Sequence, residues 1–422
     1  MPHAARKVLF LAVCAAIPRL ASPARAEESA ATPLATLVEE AAASNPEVQA
    51  AEHGWRAAAE MPKEARALPE TQLSLQELSV GSPRPFAGFT NSDFAYVGVG
   101  ASQDLPYPGK RALRATVAAH KAESLHEDAS AVRRRVIESL KLAYYRLAYV
   151  QQTLGIVDSN DRLLGQLEQV VESRYRVGQG RQQDVLRAQL QHTKLLQEVA
   201  MRHQEEGQLQ AQLKQTLNRP KTSPDIVAEP LAPTVLQRSD ADLLQQAAEQ
   251  NPDLRARRES LRGRQTQVEL AHREFRPDFN VQAMVQHTGS QFRDYYMATF
   301  GIRLPNRGRR AAELAEAEEE RARAEQELQA DAQRVDSEIV QQLALLRGSE
   351  ERLRIYGEGL IPQAGATFQA GIAAYESNRQ DFETMLGNFL DVLNLNLERR
   401  RELADHESTL ARLERLTGVT LP

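Results

Sequence analysis

The sequence has a single cysteine, Cys14, and few aromatic side chains, which make up 5% of its 422 residues. One cysteine excludes an internal disulfide, a C-x-x-C redox pair and a zinc site built on thiolates. The scarcity of aromatic residues argues against a large mixed α/β core. The net charge of −5 argues against a nucleic-acid partner, because proteins that bind nucleic acid carry a basic surface. The abundant residues, Ala, Leu, Glu, Gln and Arg, are typical of long helices.

Motifs for catalysis and for metal binding are also missing. The nine histidines form neither an H-x-x-H nor an H-E-x-x-H pattern. The glycines form no phosphate-binding loop, and no G-x-S-x-G elbow occurs. We therefore predict a protein that is not an enzyme and has no catalytic, cofactor-binding or metal-binding residues.

The first 26 residues have the features of a secretory signal peptide. Arg6 and Lys7 precede an apolar run at 8–17, and Ala24-Arg25-Ala26 provides a cleavage site. Cleavage after Ala26 would leave a mature chain with a net charge of about −9. Whether Cys14 is ever lipidated is left open.

No later stretch is long and apolar enough for a transmembrane helix. An exported protein of this kind can enter a membrane only as β-strands, because only helices and closed barrels satisfy the backbone in lipid.

The chain contains an internal duplication. Four pairs of segments recur in the same order at an offset close to 200: Ser44–Ala50 with Gln250–Ala256, Arg66–Glu70 with Glu274–Asp278, Leu105–Arg111 with Leu304–Arg310, and Tyr175 and Leu186 with Tyr375 and Leu386. We predict a first unit at 27–218 and a second at 240–422, joined by a proline-containing linker at 219–239.

Each unit is predicted to run helix, two strands, long helix, tight turn, helix. For the first unit the predicted elements are a helix at 34–67, strands at about 71–79 and 93–104, and helices at about 109–175 and 183–217. For the second unit they are a helix from 240, strands at about 278–287 and 294–304, and helices at about 308–375 and 382–417. Apolar residues at four- and three-residue steps predict a coiled-coil seam along each long helix. Gly357, Gly359 and Pro362 predict an interruption in the long helix of the second unit.

The strands alternate between apolar and polar residues. In the best example, Phe279, Val281, Ala283 and Val285 share one face. This pattern suits both an outer-membrane barrel and a pair of soluble hairpins. Four strands cannot close a barrel, so the chain must pair its hairpins elsewhere or share a barrel with copies of itself, and three copies give twelve strands.

Several motifs resemble those of one known family. They are the paired Asn45-Pro46 and Asn251-Pro252, Tyr175-Arg176-Val177-Gly178 with Asp184-Val185-Leu186-Arg187-Ala188, and Tyr375-Glu376-Ser377-Asn378 with Asp381-Phe382. Together with the duplication, they make the chain similar to the TolC family of outer-membrane efflux proteins.

This resemblance implies a mainly α fold with a small β part. The protein would be a homotrimer whose long helices form a coiled-coil tunnel in the periplasm. A twelve-stranded transmembrane barrel, with four strands from each chain, would continue the tunnel through the lipid of the outer membrane. A periplasmic adaptor and an inner-membrane pump would be its partners.

The resemblance also implies site residues at the helical tips. The adaptor would dock on Tyr175, Arg176, Val177, Gly178, Tyr375 and Asn378. The candidate constriction of the tunnel consists of Asp184, Asp381 and Thr384. Asn378 stands where the family usually has Gly, but Asn also tolerates a left-handed turn. Thr384 and Gly387 stand where some members have acidic rings, whereas Asp184 matches the acidic position of the first unit.

Two questions stay open at this level. Leu360–Ala364, Asp381-Phe382 and Leu410–Gly418 are similar to the branch of the family that serves heavy-metal pumps, yet drugs or other small molecules remain possible cargo. The alternative function is a periplasmic coiled-coil adaptor or scaffold without a barrel. Adaptors share the helical hairpins but lack a duplication with two strands in each half.

Overall fold

The computed structural model describes residues 31–90, 92, 94–289 and 294–421, so the predicted signal peptide with Cys14 lies outside the described residues. The elements of the first half are α1 (Leu34–Ser44), α2 (Pro46–Ala58), α3 (Met61–Arg66), β1 (Gln72–Leu78), β2 (Tyr96–Leu105), α4 (Lys110–Arg176) and α5 (Gln182–Thr216). Those of the second half are α6 (Asp240–Gln250), α7 (Pro252–Arg273), β3 (Asp278–Thr288), β4 (Asp294–Arg303), α8 (Arg307–Ile355), α9 (Ile361–Glu376) and α10 (Phe382–Thr417).

The prediction of one helix at 34–67 is wrong, because the structure divides this segment into α1, α2 and α3. Pro46 has no N–H to continue the helix, and Asn45 adopts an extended conformation, with φ −66° and ψ 126°. The second break precedes Pro62, which has no N–H to donate to the carbonyl of Ala58. Proline therefore splits what the apolar pattern alone predicts as one element.

The predicted interruption of the second long helix is confirmed. Residues Tyr356–Leu360 form a π-helical turn between α8 and α9. Pro362 follows at the start of α9, where its ring would clash with a carbonyl of a regular α-helix. The wider π turn accommodates the ring, and α9 follows it without an intervening loop.

The long helices bury the predicted seams. In α4 the buried seam residues are Val136, Leu140, Ala143, Leu147, Val150 and Val157. In α8 they are Val335, Ile339, Leu343 and Leu346. The turn after α4 lies about 100 Å along that helix from the sheet, at about 1.5 Å per residue. The molecule is therefore elongated, with the strands and the α4–α5 turn at opposite ends of α4.

The four strands form one antiparallel sheet in the order β1-β2-β3-β4. Residues paired directly across the strands share a face of the sheet. One such row contains Leu75, Val99, Val285 and Tyr296, and the next contains Leu73, Ala101, Ala283 and Ala298. The predicted alternation thus combines into a continuous apolar face. This face is open to the surroundings, since the side chains of Leu73 and Tyr296 are 80% and 79% exposed.

Two asparagines fasten helix ends together in the same way. The Asn45 side chain accepts from the N–H of Val48 and donates to the carbonyl of Thr216 at the end of α5, over 2.9 Å. The Asn251 side chain accepts from the N–H of Leu254 over 3.0 Å and donates to the carbonyl of Leu416 over 2.7 Å. Each asparagine caps one helix and satisfies a free carbonyl of another.

Replacing Asn251 with alanine should lower the free energy of unfolding by about 2–3 kcal/mol, because a helix cap and a buried hydrogen bond are lost together. Asn251 is fully buried, so water cannot replace either partner. Circular dichroism during thermal unfolding would measure the change. Asn394→Ala, at an exposed site within α10, is the matched control. Equal stability of the two variants would contradict the capping role.

Candidate functional site

The α4–α5 turn (177–181, the first tip turn) and the α9–α10 turn (377–381, the second tip turn) have the same geometry. In each, a pair of backbone hydrogen bonds closes the helix: Gln179 N–H to Arg174 O and Gly178 N–H to Tyr175 O in the first, Arg379 N–H to Ala374 O and Asn378 N–H to Tyr375 O in the second. This 6→1 and 5→2 pairing is the Schellman motif, which needs a left-handed residue after the helix.

Gly178 and Asn378 provide the left-handed residues, with φ of 77° and 55°. The expectation that Asn378 can replace the usual glycine is confirmed for the backbone. Asparagine reaches this region at lower cost than other residues with a Cβ atom.

Arg174 joins the two tip turns, and the sequence analysis missed it. Its guanidinium donates to the carbonyls of Tyr375 and Glu376 and to Asn378 Oδ1, each over 3.0 Å. The guanidinium carbon also lies 4.4 Å from the centre of the Tyr375 ring. Arg174 directly precedes the Tyr175 motif, which is the one signal that could have drawn attention to it.

The predicted tip residues divide into two groups. Tyr375 is buried and packs against Phe382, with 5.9 Å between the ring centres. Tyr175 and Val177 are exposed at the end of α4, and Arg176 pairs with Glu172 one helical turn earlier. The structure therefore makes Tyr375 a support of the tip, whereas the exposed group offers surface to a partner.

The predicted constriction residues lie at the starts of α5 and α10. Asp381 caps α10, and its Oδ1 accepts from the N–H of Thr384 over 2.8 Å. Hydrogen bonding to Thr384 lowers the pKa of Asp381, so the carboxylate stays ionised. Asp184 lies in the first turn of α5, and Arg187 on the same helix pairs with Glu383 on α10.

A buried lysine occupies the other end of α4. Lys110 is 1% exposed, and its Nζ lies 2.9 Å from each of Glu274 Oε2, Asp278 Oδ1 and the Arg276 carbonyl. The N–H of Tyr107 also donates to Asp278 Oδ1, over 2.8 Å. We call Lys110, Glu274 and Asp278 the junction cluster, because it joins the start of α4 to the end of α7 and the start of β3.

Neighbouring cations stabilise the charged form of Glu274 in the junction cluster. Burial raises the pKa of Glu274, but hydrogen bonds from Lys110 and Arg114 outweigh it, so the pKa lies below its ordinary value of 4.5. In the described part of the chain, no group of three or more histidine, cysteine, aspartate or glutamate side chains could hold a metal ion. The same residues contain no helix that is both long and apolar enough to cross a membrane.

Long paired helices with matched turns at one end, and a small sheet with an exposed apolar face at the other, define a fold of the TolC type. The family described as outer membrane efflux protein matches residues 37–219 and 243–413. The chain belongs to this family, and the predicted family and fold class are confirmed.

Solved structures agree with this fold. The outer-membrane channel OprN superposes with a TM-score of 0.78 at 18% identity, covering 91% of this chain and 89% of OprN. CusC superposes with a TM-score of 0.78 at 17% identity, covering 92% of each chain. VceC from Vibrio cholerae gives 0.77 at 18% identity, covering 92% of this chain and 96% of VceC. No curated protein matches the chain by sequence.

Proposed function

We propose that the chain is the outer-membrane channel of a tripartite efflux system, a homotrimer that acts as a passive exit duct. One observation carries the proposal: a four-stranded sheet with an exposed apolar face and two open edges, at one end of a set of long helices. Three such sheets joined edge to edge make a twelve-stranded barrel, which is wide enough to keep an aqueous lumen.

Lipid is the partner that fits the apolar face. Its polar residues lie at the two ends of the strands: Thr71 donates a hydrogen bond of 2.6 Å to Gln103 at one end, and Glu77, His287 and Asp294 form a row at the other. The opposite face carries Gln72, Ser74, Gln282, Gln286 and Thr299, which suit a water-filled interior. An outer surface in lipid and an inner surface in water explain why alternation persists without a protein core on the apolar side.

The tip turns would dock on a periplasmic adaptor bound to an inner-membrane pump. Tyr175, Arg176 and Val177 present exposed side chains there, while Gly178, Asn378 and Tyr375 hold the shape of the turns. We assign the first group to contact and the second group to support.

Membrane fractionation and light scattering test the proposal together. The protein should sediment with the outer membrane, require detergent, and have the mass of a trimer in mild detergent. A water-soluble protein would favour the alternative, a periplasmic adaptor or scaffold. A detergent-requiring monomer would contradict the shared barrel.

We further expect the isolated channel to prefer cations. The mature chain has a net charge of about −9 and a trimer roughly −27, and a long tunnel with low-dielectric walls focuses such a charge. Asp184 in the first turn of α5, repeated three times near the tips, is the proposed main contributor.

Reversal potentials across a planar bilayer under a salt gradient would measure this preference, which should strengthen at low salt as screening weakens. Asp184→Asn should reduce it, whereas Asp336→Asn, an exposed site on α8 far from the tips, should not. Anion preference, or none at low ionic strength, would refute the cation-enriching tunnel.

For the cargo, we propose heavy-metal cations as the first class to test. The basis is the sequence similarity at Leu360–Ala364 and Leu410–Gly418, together with the acidic tunnel. Loss of the gene should then sensitise cells to metal salts. Sensitisation to drugs but not to metal salts would contradict this proposal and indicate a drug pump as the partner.

A further inference from the structure

The two units bring equivalent positions together at their junctions with the sheet, although through different groups. Arg111 donates to the carbonyl of Arg66, over 2.9 Å, within the first unit. Arg310 pairs with Glu274, at 3.6 Å, within the second unit. By the sequence duplication, Arg111 corresponds to Arg310 and Arg66 to Glu274. The two contacts therefore show that the start of α8 sits against the end of α7 as the start of α4 sits against the end of α3.

The junction cluster is different, because it joins one unit to the other. Lys110 of the first unit binds Asp278 and the carbonyl of Arg276 in the second. In the duplicated segments the residue equivalent to Lys110 is Arg309, and the residue equivalent to Asp278 is Glu70. Arginine in place of lysine and glutamate in place of aspartate keep the sign of each charge, and both side chains are longer.

Arg309 and Glu70 cannot reproduce this contact within one chain. Glu70 precedes β1 and Arg309 follows β4, and these strands are the two edges of the sheet. The Arg309 side chain is 75% exposed, and its ion pair is with Glu313 one turn along α8, over 2.8 Å. Glu70 is exposed and forms no ion pair with any described residue.

We propose that Arg309 binds Glu70 of a second copy of this chain, so that the Lys110–Asp278 pair of the junction cluster has a counterpart between copies. The occupant is fixed by charge complementarity and by the equivalence with Lys110 and Asp278. The inference rests on the proposed trimer and adds to it the residues that connect neighbouring copies.

The strand register that follows from the same equivalences is consistent with the apolar face. In the duplication, β4 is the equivalent of β2 and β1 is the equivalent of β3. If β4 pairs with the β1 of a neighbouring copy as β2 pairs with β3, Ile302 lies opposite Leu73 and Phe300 lies opposite Leu75. All four residues belong to the apolar face. A slip of one residue would have placed apolar residues opposite polar ones, so the transferred register agrees with the lipid-facing surface.

Charge exchange tests the contact. In detergent, Arg309→Glu and Glu70→Arg should each speed trimer dissociation on the order of tenfold, the effect of one charge-assisted hydrogen bond. The double variant should regain most of the stability. Arg321→Glu, the same change at an exposed site farther along α8, is the control. Equal behaviour of Arg309→Glu and Arg321→Glu would overturn the proposal.

Cysteine pairs test the register in a form that does not depend on the stability of the trimer. Cys14 is the sole cysteine of the sequence and lies in the predicted signal peptide, so the mature background has none. Ile302→Cys with Leu73→Cys should form intermolecular disulfides on oxidation, since directly opposite strand residues have suitable Cα separations. Ile302→Cys with Leu75→Cys, two residues out of register, should not.

The outcomes distinguish a failure of this inference from a failure of the proposed function. If the wild-type protein is a trimer but the variant with Ile302→Cys and Leu73→Cys forms no disulfide, or no more than the offset pair, the inference is overturned and the proposed channel stands. A wild-type protein that stays monomeric in mild detergent would contradict the proposed function itself.

Discussion

Replacing Lys110 with methionine should destabilise the folded chain by about 3–5 kcal/mol, the usual result of removing one partner from a buried ion pair. Lys110 is 1% exposed, and its ammonium group is shared by two carboxylates and a carbonyl. Methionine fills the space but leaves Asp278 without its cation. Because Glu274 still pairs with Arg114, the start of β3 should be the part that is most destabilised. The yield of trimer should drop as a consequence.

The measurement is the midpoint of thermal unfolding in detergent, with Lys194→Met at an exposed site of α5 as the control. The response to acid gives a second reading. Because the pKa of Glu274 lies below its ordinary 4.5, its contribution to stability is present above that value and disappears as the pH falls through the folded pKa. This acid-dependent loss should be smaller in Lys110→Met. Unchanged midpoints at neutral pH would refute the role of the junction cluster.

Replacing Gly178 with valine should abolish efflux while leaving membrane insertion intact. Gly178 has a φ of 77°, and a left-handed residue with a Cβ atom costs about 1–2 kcal/mol, more when it is β-branched. No described atom lies within 4 Å of the position of an added Cβ, so the cost comes from the backbone. The turn should open, Tyr175 and Val177 should move, and the adaptor should lose its contact surface.

Two further variants separate shape from bulk. Gly165→Val places the same side chain in open space on α4, where the backbone is helical, and should leave efflux unchanged. Asn378→Gly should also preserve efflux, because glycine accepts the φ of 55°. Resistance assays in cells that carry the cognate pump would measure all three. Normal efflux by Gly178→Val would remove the support for this turn as the docking tip.

Local sequence patterns determined much of the molecule. The seam of α4, the alternation of β3 and the left-handed turn residues follow from periods of 3.6 and 2 and from the backbone preferences of Gly and Asn. The single helix expected at 34–67 failed because proline acts on a hydrogen bond four residues away, which an apolar pattern does not register. The duplication also identified the correct order of elements.

The partners of charged side chains were decided by the tertiary structure alone. Lys110 meets Glu274 and Asp278 more than 160 residues later in the chain, and Arg174 meets Asn378 204 residues later. Before folding, each is one of 52 basic residues among 57 acidic ones, with nothing local to select its partner. Periodicity fixes which face of a helix or strand is buried, because that depends on neighbours in sequence. The packing of α4 against α7 and of the two tip turns sets which charges come within hydrogen-bonding distance.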